Sequence, residues 1–227
     1  TLVYAVTLMI MSKLGDMYGR KKIFLGSLVL FVLASAVNGM ASSLLILDIG
    51  RGVQAIGGAG MMSLSMALVA SNFEGKDRGL ALGILGSIIG VSSASGPLIG
   101  GYLVEHFSWP AIFYVNVPFG ILAVILTVIY VKETPSYGKN QKVDLLGMLL
   151  SAAGLFAIIY GLIVKEGHPH WNWTDLRVSG WLVGGLIVMI IFIIAEAKIK
   201  DPMVNLSMFK KPHFIGVVIV AFALGSG

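Results

Sequence analysis

Two charged side chains, Asp48 and Arg51, interrupt a stretch from residue 44 to residue 72 that is otherwise free of charge. A guanidinium does not surrender its proton in a protein, and placing it at the middle of a membrane-spanning helix costs about 2.5 to 3.5 kcal/mol on insertion scales. Such a charge persists only with a partner. Asp48, three residues earlier, shares the helix face and can neutralise it, which is a structural role. The functional alternative is proton handling: a guanidinium that faces a cavity and approaches a carboxylate on another helix favours the ionised form and eases proton release. The sequence leaves both readings open, and with them the role of Asp48.

A second charged knot, Gly15-Asp16-Met17-Tyr18-Gly19-Arg20-Lys21-Lys22, is wedged between two apolar runs and reads as a short turn between two membrane helices. Asp16 and Arg20 are four apart and can pair with each other or with neighbours such as Glu74 or Asp77. Gly15 and Gly19 suit points where backbones crowd or φ turns positive. A third stretch spaces Gly79, Gly83, Gly86 and Gly90 by four, three and four, so that small residues share one face suited to close helix packing. It is followed by Gly96-Pro97-Leu98-Ile99-Gly100-Gly101, where proline removes a backbone bond in mid-helix and the glycines leave the bend mobile. His168-Pro169-His170 lacks a third ligand at metal spacing, so no metal site is expected. No catalytic nucleophile or acid–base constellation is found in the apolar runs.

The elements that carry these groups follow from composition. The chain has 227 residues, is 57% hydrophobic and 12% charged, and has a mean hydropathy of +0.91. Soluble domains run near a quarter charged. About 20 apolar residues in a helix cross a hydrocarbon core of about 30 Å. Complete spans are therefore predicted over residues 23–41, 44–72, 79–104, 111–131, 145–164 and 179–197. Residues 1–12 are too few for a crossing and 213–227 open another, so six complete spans lie between two partial ones. The segment 1–11 lacks a basic start, so no cleavable signal peptide is expected. With no cysteine, disulfides and thiolate metal sites are excluded.

Of the 16 Lys and Arg, all but Arg51, Lys165 and Arg177 fall in alternate connections on one side, and the positive-inside rule makes that side cytoplasmic. Trp109, Trp171, Trp173 and Trp181 all map to the opposite side, as an interfacial aromatic belt requires. The net charge of +5 is thus spread over connections beside anionic headgroups, and no nucleic-acid partner is expected.

The knot resembles the loop between the second and third spans of the major facilitator superfamily, Gly-x-Leu-x-Asp-x-x-Gly-Arg-Arg/Lys, through Leu14, Asp16, Gly19, Arg20 and Lys21, with Ser12 at the first glycine. Arg51, Gln54 and Gly57 resemble its fourth-span motif, which the family links to proton coupling, with Ala55 in place of a glycine. Gly96, Pro97, Gly100 and Gly101 resemble the fifth-span motif that marks antiporters. Trp109-Pro110-Ala111-Ile112-Phe113-Tyr114-Val115-Asn116-Val117-Pro118 is similar to the opening of the sixth span in fourteen-span drug:proton antiporters of the QacA/EmrB type, Pro110-Ala111 replacing Arg-Trp. The two additional spans after it also favour that branch.

The resemblance implies an all-α polytopic membrane protein, a partial superfamily helical bundle covering about span two to span nine. Its parts would be an N-terminal bundle over 1–131, a cytoplasmic linker over 132–144, two extra spans over 145–197, and a basic segment over 198–227 that starts the C-terminal bundle. It implies export of small amphiphilic compounds across the cytoplasmic membrane in exchange for protons by alternating access. Asp16 and Arg20 would hold a cytoplasmic gate, Arg51 would tune a proton-binding carboxylate, and Gly96-Pro97 with Gly100-Gly101 would seal and bend the fifth span. No cofactor is expected, protons serving as the coupling ion. The expected partners are the lipid bilayer and the substrate, and oligomeric state is left open. A metabolite or siderophore exporter of the same fold is the alternative; from other classes, a membrane-embedded enzyme or a non-transporting sensor.

Overall fold

The computed structural model describes residues 2–134 and 144–199, with 215, 216 and 219. The core of the predicted linker, the bases Lys139, Lys142, Lys200, Lys210 and Lys211, and most of the span expected over 213–227 lie outside the described residues. The chain divides into two units, Thr1–Gln141 and Lys142–Gly227, the boundary falling within the predicted linker.

Unit one holds α1 (Leu2–Tyr18), α2 (Arg20–Gly39), α3 (Leu44–Asn72), α4 (Gly75–His106), α5 (Ala111–Tyr114) and α6 (Asn116–Tyr130); unit two holds α7 (Leu145–Gly167) and α8 (Leu176–Glu196). Six stretches among the described residues are long and apolar enough to cross a membrane, and they coincide in number and order with the six predicted complete spans. Large apolar side chains such as Leu98, Ile129 and Leu176 stand exposed on these helices. In a bilayer those faces meet acyl chains of matching polarity, and away from helix ends and prolines the backbone groups are satisfied within their own helix.

Within unit one, α3 packs on α2 and α1, and α2 on α6. Small residues set these approaches. Gly57 of α3 faces the backbone of α2 so closely that a Cβ there would stand 2.7 Å from the Ser27 carbonyl oxygen and 2.8 Å from the Phe31 nitrogen. Gly15 of α1 makes room for Leu64, which is fully buried. Packing of this kind substitutes for the hydrophobic drive that lipid does not supply.

Three element boundaries differ from the sequence reading. The knot is not an eight-residue turn: α1 runs to Tyr18 and α2 starts at Arg20, so Gly19 alone makes the break, with φ of 107°. Lys76, Asp77 and Arg78 belong to the first turn of α4, leaving Phe73-Glu74 as the connection, because a 32-residue helix extends beyond the apolar core. The crossing after Trp109 is split at Val115 into α5 and α6; Pro118 has no N–H to donate to the Tyr114 carbonyl, which weakens the ladder there.

Unit two is a helical hairpin. Gly154 of α7 and Gly185 of α8 bring the two backbones together. Asp144 opens α7 by accepting a hydrogen bond from the Gly147 N–H at 2.8 Å, and the buried Glu196 at the end of α8 reaches the same glycine. Trp171 of the α7–α8 loop has Arg177 of α8 4.9 Å from its ring centroid and stacks on His168 with centroids 4.0 Å apart.

Candidate functional site

At the Gly19 end of unit one the knot is tied to α3 and to α6 with the residues just beyond it. Arg20 pairs with Asp16 at 2.9 Å, and its Nη1 donates to the Ala67 carbonyl of α3 at 3.2 Å. Lys21 Nζ donates to the Val128 carbonyl of α6 at 3.0 Å. Neither Glu74 nor Asp77 takes part in these contacts. The carboxylate that does is Glu133, just beyond α6, whose two oxygens accept from the backbone N–H groups of Lys21 at 3.0 Å and Lys22 at 3.2 Å. These are orphan donors at the N-terminus of α2, where the helix dipole also favours a negative charge. The expected partners fail because Glu74 and Asp77 ride on the start of α4, whereas α6 packs on α2 and delivers Glu133. Leu14 sits half-buried on α1.

Gly19 is doubly constrained: its φ lies in the left-handed region, and a Cβ would stand 3.0 Å from the Glu133 carboxylate. Glu133→Ala should cost about 1 kcal/mol of capping energy. The expected result is faster amide hydrogen exchange at Lys21 and Lys22 with α3 unaffected; unchanged exchange would show that Glu133 does not cap α2.

Further along α3, a cavity of about 640 Å³ is lined by Tyr4, Phe31, Asp48, Arg51, Gln54 and Gly58, among others. Asp48 and Arg51 share this cavity yet form no ion pair within 4.0 Å, so the neutralising role open to Asp48 is not realised. The guanidinium instead lies over the ring of Phe113, 5.9 Å from its centroid, at the limit of cation–π reach. Gln54, one turn on, is turned into a polar cluster: it accepts from Asn38 Nδ2 at 3.1 Å and donates to Ser35 Oγ at 3.0 Å. Ser35 in turn donates to the Phe113 carbonyl at 2.9 Å and accepts from Asn116 Nδ2 at 3.1 Å. Ser35 and Asn38 are fully buried.

On α4, Pro97 lies inside one continuous helix, and no residue of α4 is buried. At Gly79, Gly83, Gly86, Gly90, Gly96, Gly100 and Gly101 a Cβ would meet nothing within 4 Å. The close packing expected of this glycine face is therefore made by none of the described helices; α3 and α5 touch α4 elsewhere.

The Major Facilitator Superfamily profile matches residues 1–227. The chain belongs to the Major Facilitator Superfamily. It is 33% identical over 216 residues to Multidrug resistance protein 3 of Bacillus subtilis, covering 95% of this chain and 42% of that protein. It is 31% identical over 220 residues to the Tetracenomycin C resistance and export protein of Streptomyces glaucescens, covering 96% and 40%. It is 30% identical over 219 residues to Riboflavin transporter RibZ of Clostridioides difficile, covering 96% and 46%. The chain thus spans less than half the length of these relatives. It is a multi-pass integral membrane protein whose helices form part of a superfamily bundle.

Leu14, Asp16, Gly19, Arg20 and Lys21 lie together at the Gly19 end of unit one, while Arg51, Gln54 and Asp48 line the cavity. Gly96, Pro97, Gly100 and Gly101 stand apart from both, on the open face of α4. Sequence reasoning missed Glu133, Ser35 and Asn38 and gave Phe113 and Asn116 no role. For Ser35, Asn38 and Asn116 the signal was present, since single polar residues within apolar spans mark interhelical contacts.

Proposed function

We propose that this chain is part of a secondary transporter that exports small amphiphilic compounds across the cytoplasmic membrane in exchange for protons. The observation that carries the reading is Arg51, a permanent charge in the cavity of a membrane-spanning helix, unpaired with Asp48 and resting on a neutral ring. A guanidinium held this loosely is available to a carboxylate, and its approach expels a proton by favouring the ionised form. Asp48, which lines the same cavity, is one candidate; a carboxylate on a further helix is the other. Two relatives bear names of drug resistance and export, which supports amphiphilic cargo. The knot, with its bases, faces the cytoplasm in this reading and closes that side by the Arg20 and Glu133 contacts.

A metabolite exporter of the same mechanism is the second reading, favoured by the relative named for riboflavin. A membrane enzyme or a sensor has no such support. The test is dye accumulation in energised everted vesicles carrying the whole protein. Proton antiport predicts that a protonophore abolishes it; accumulation that survives the protonophore would overturn the reading.

The open face of α4 supplies a separate prediction. A Cβ at Gly96 meets nothing within 4 Å, so Gly96→Leu should be inserted and recovered in normal amount, yet turnover should fall by about tenfold or more because the glycine–proline segment is stiffened. A fully active variant would show that this segment does not bend during transport.

A further inference from the structure

We propose that Ser35 positions the Arg51 charge, acting through Phe113; this rests on the reading of Arg51 as the proton-coupling group. The two sides of the cation–ring contact belong to different helices, Arg51 to α3 and Phe113 to α5, and both helices pack on α2. One hydroxyl on α2 holds them both. Ser35 gives its single proton to the Phe113 carbonyl and fills its lone pairs with Gln54 of α3 and Asn116 of α6. A hydroxyl has one donor and two acceptor sites, so Ser35 is saturated and its rotamer is fixed by three partners.

The Phe113 ring also packs roughly perpendicular to that of Trp109, centroids 6.2 Å apart, and the residue is 6% exposed. Its ring is therefore a fixed object and the guanidinium is the mobile partner. Asn38 completes the arrangement by steadying the Gln54 amide, one turn from Arg51 on the same helix. The ring holds a guanidinium more weakly than a carboxylate does, so it serves as a neutral rest position that sets how readily Arg51 moves to its acid.

The titratable side chains that share the cavity with Arg51 are Asp48 on its own helix and Tyr4 of α1. From α2 the cavity receives Phe31, and from α5 the guanidinium meets the Phe113 ring, neither of them titratable. On α4, Glu105 and His106 lie in the last turn, with His106 stacked on Tyr102 at 4.1 Å. Removing the ring leaves the guanidinium free to spend more time on its carboxylate, which favours the ionised acid. The pH profile of transport must then move to lower pH.

The test uses the full-length transporter, purified and reconstituted, with Phe113→Leu, Ser35→Ala and Ser35→Thr, each also combined with Arg51→Ala. In wild-type and single variants the pH midpoint of efflux is measured; for Phe113→Leu and Ser35→Ala it should fall by about 0.5 unit or more, with kcat reduced and KM little changed. Ser35→Thr keeps the hydroxyl and should stay near wild type. Melting temperatures of the singles and doubles give a second readout that needs no transport. Arg51 does not touch Ser35, so a merely structural serine predicts additive shifts, whereas positioning through Phe113 predicts departure from additivity by about 2 °C or more. If Ser35→Ala fails to fold, the Phe113→Leu cycle decides. Additive melting shifts in the folded variants, or an unmoved pH midpoint in a proton-coupled wild type with Phe113→Leu, would overturn the proposal. If wild-type efflux proves independent of protons, the antiport reading fails by itself, and the melting cycle still reports whether Ser35 seats Arg51.

Discussion

Arg51→Ala in the whole transporter should abolish proton-driven efflux while membrane insertion and yield stay normal. The guanidinium stands exposed to the cavity, its visible contacts being the Phe113 ring and cavity wall, so its loss opens no buried void. Its value lies in the charge. Two unit charges 4 Å apart interact by about 4 kcal/mol at an effective dielectric of about 20, so removing one from the coupling step should slow it by about a hundredfold or more. Arg51→Lys should recover part of this, since the charge returns without the planar fork that stacks on Phe113. The assay is energised dye efflux beside a quantitative membrane blot. Efflux near the wild-type rate in Arg51→Ala would remove the central residue from the mechanism.

The second large effect is structural. Gly57→Leu should prevent α2 and α3 from closing, because the atoms that block a new side chain are the Ser27 carbonyl oxygen and the Phe31 nitrogen, and backbone cannot step aside as a side-chain tip can. Overpacking of this kind costs about 1 to 3 kcal/mol, and here it also displaces the helix that carries Ser35 and Asn38 from the one that carries Gln54. The melting temperature in detergent should drop by several degrees and transport should be lost. Gly26→Ala is the matched control on α2, where a Cβ meets nothing within 4 Å, and it should be neutral. Equal melting temperatures for the two variants would show that the close approach at Gly57 is unimportant.

The spans were legible because a membrane helix announces itself by length and apolar composition alone, and α2, α3, α4, α7 and α8 needed nothing else. Gly19 and the Asp16–Arg20 pair were legible because their determinants are local: a positive φ and an i,i+4 spacing. Glu133 was not, since it follows an apolar run like many other acids and reaches Lys21 only across 112 residues, through the packing of α6 on α2. The sequence offered Glu74 and Asp77 as nearer choices, and nearness along the chain misled. The rest position of Arg51 was hidden for the same reason. Asp48 was three residues away, but the helix aims both groups into the cavity, while the ring that meets the guanidinium comes from α5. The glycine row on α4 was read as a packing face, and no described helix packs closely against it.

The proposed function rests on one point, that a guanidinium resting on an aromatic ring would couple substrate export to proton entry. The most direct measurement is proton movement itself, followed with a pH-sensitive dye trapped in proteoliposomes of the full-length protein as substrate is added. The account predicts a substrate-dependent proton flux opposite in direction to the substrate, absent in Arg51→Ala. Substrate movement at the normal rate with no accompanying proton flux would contradict it.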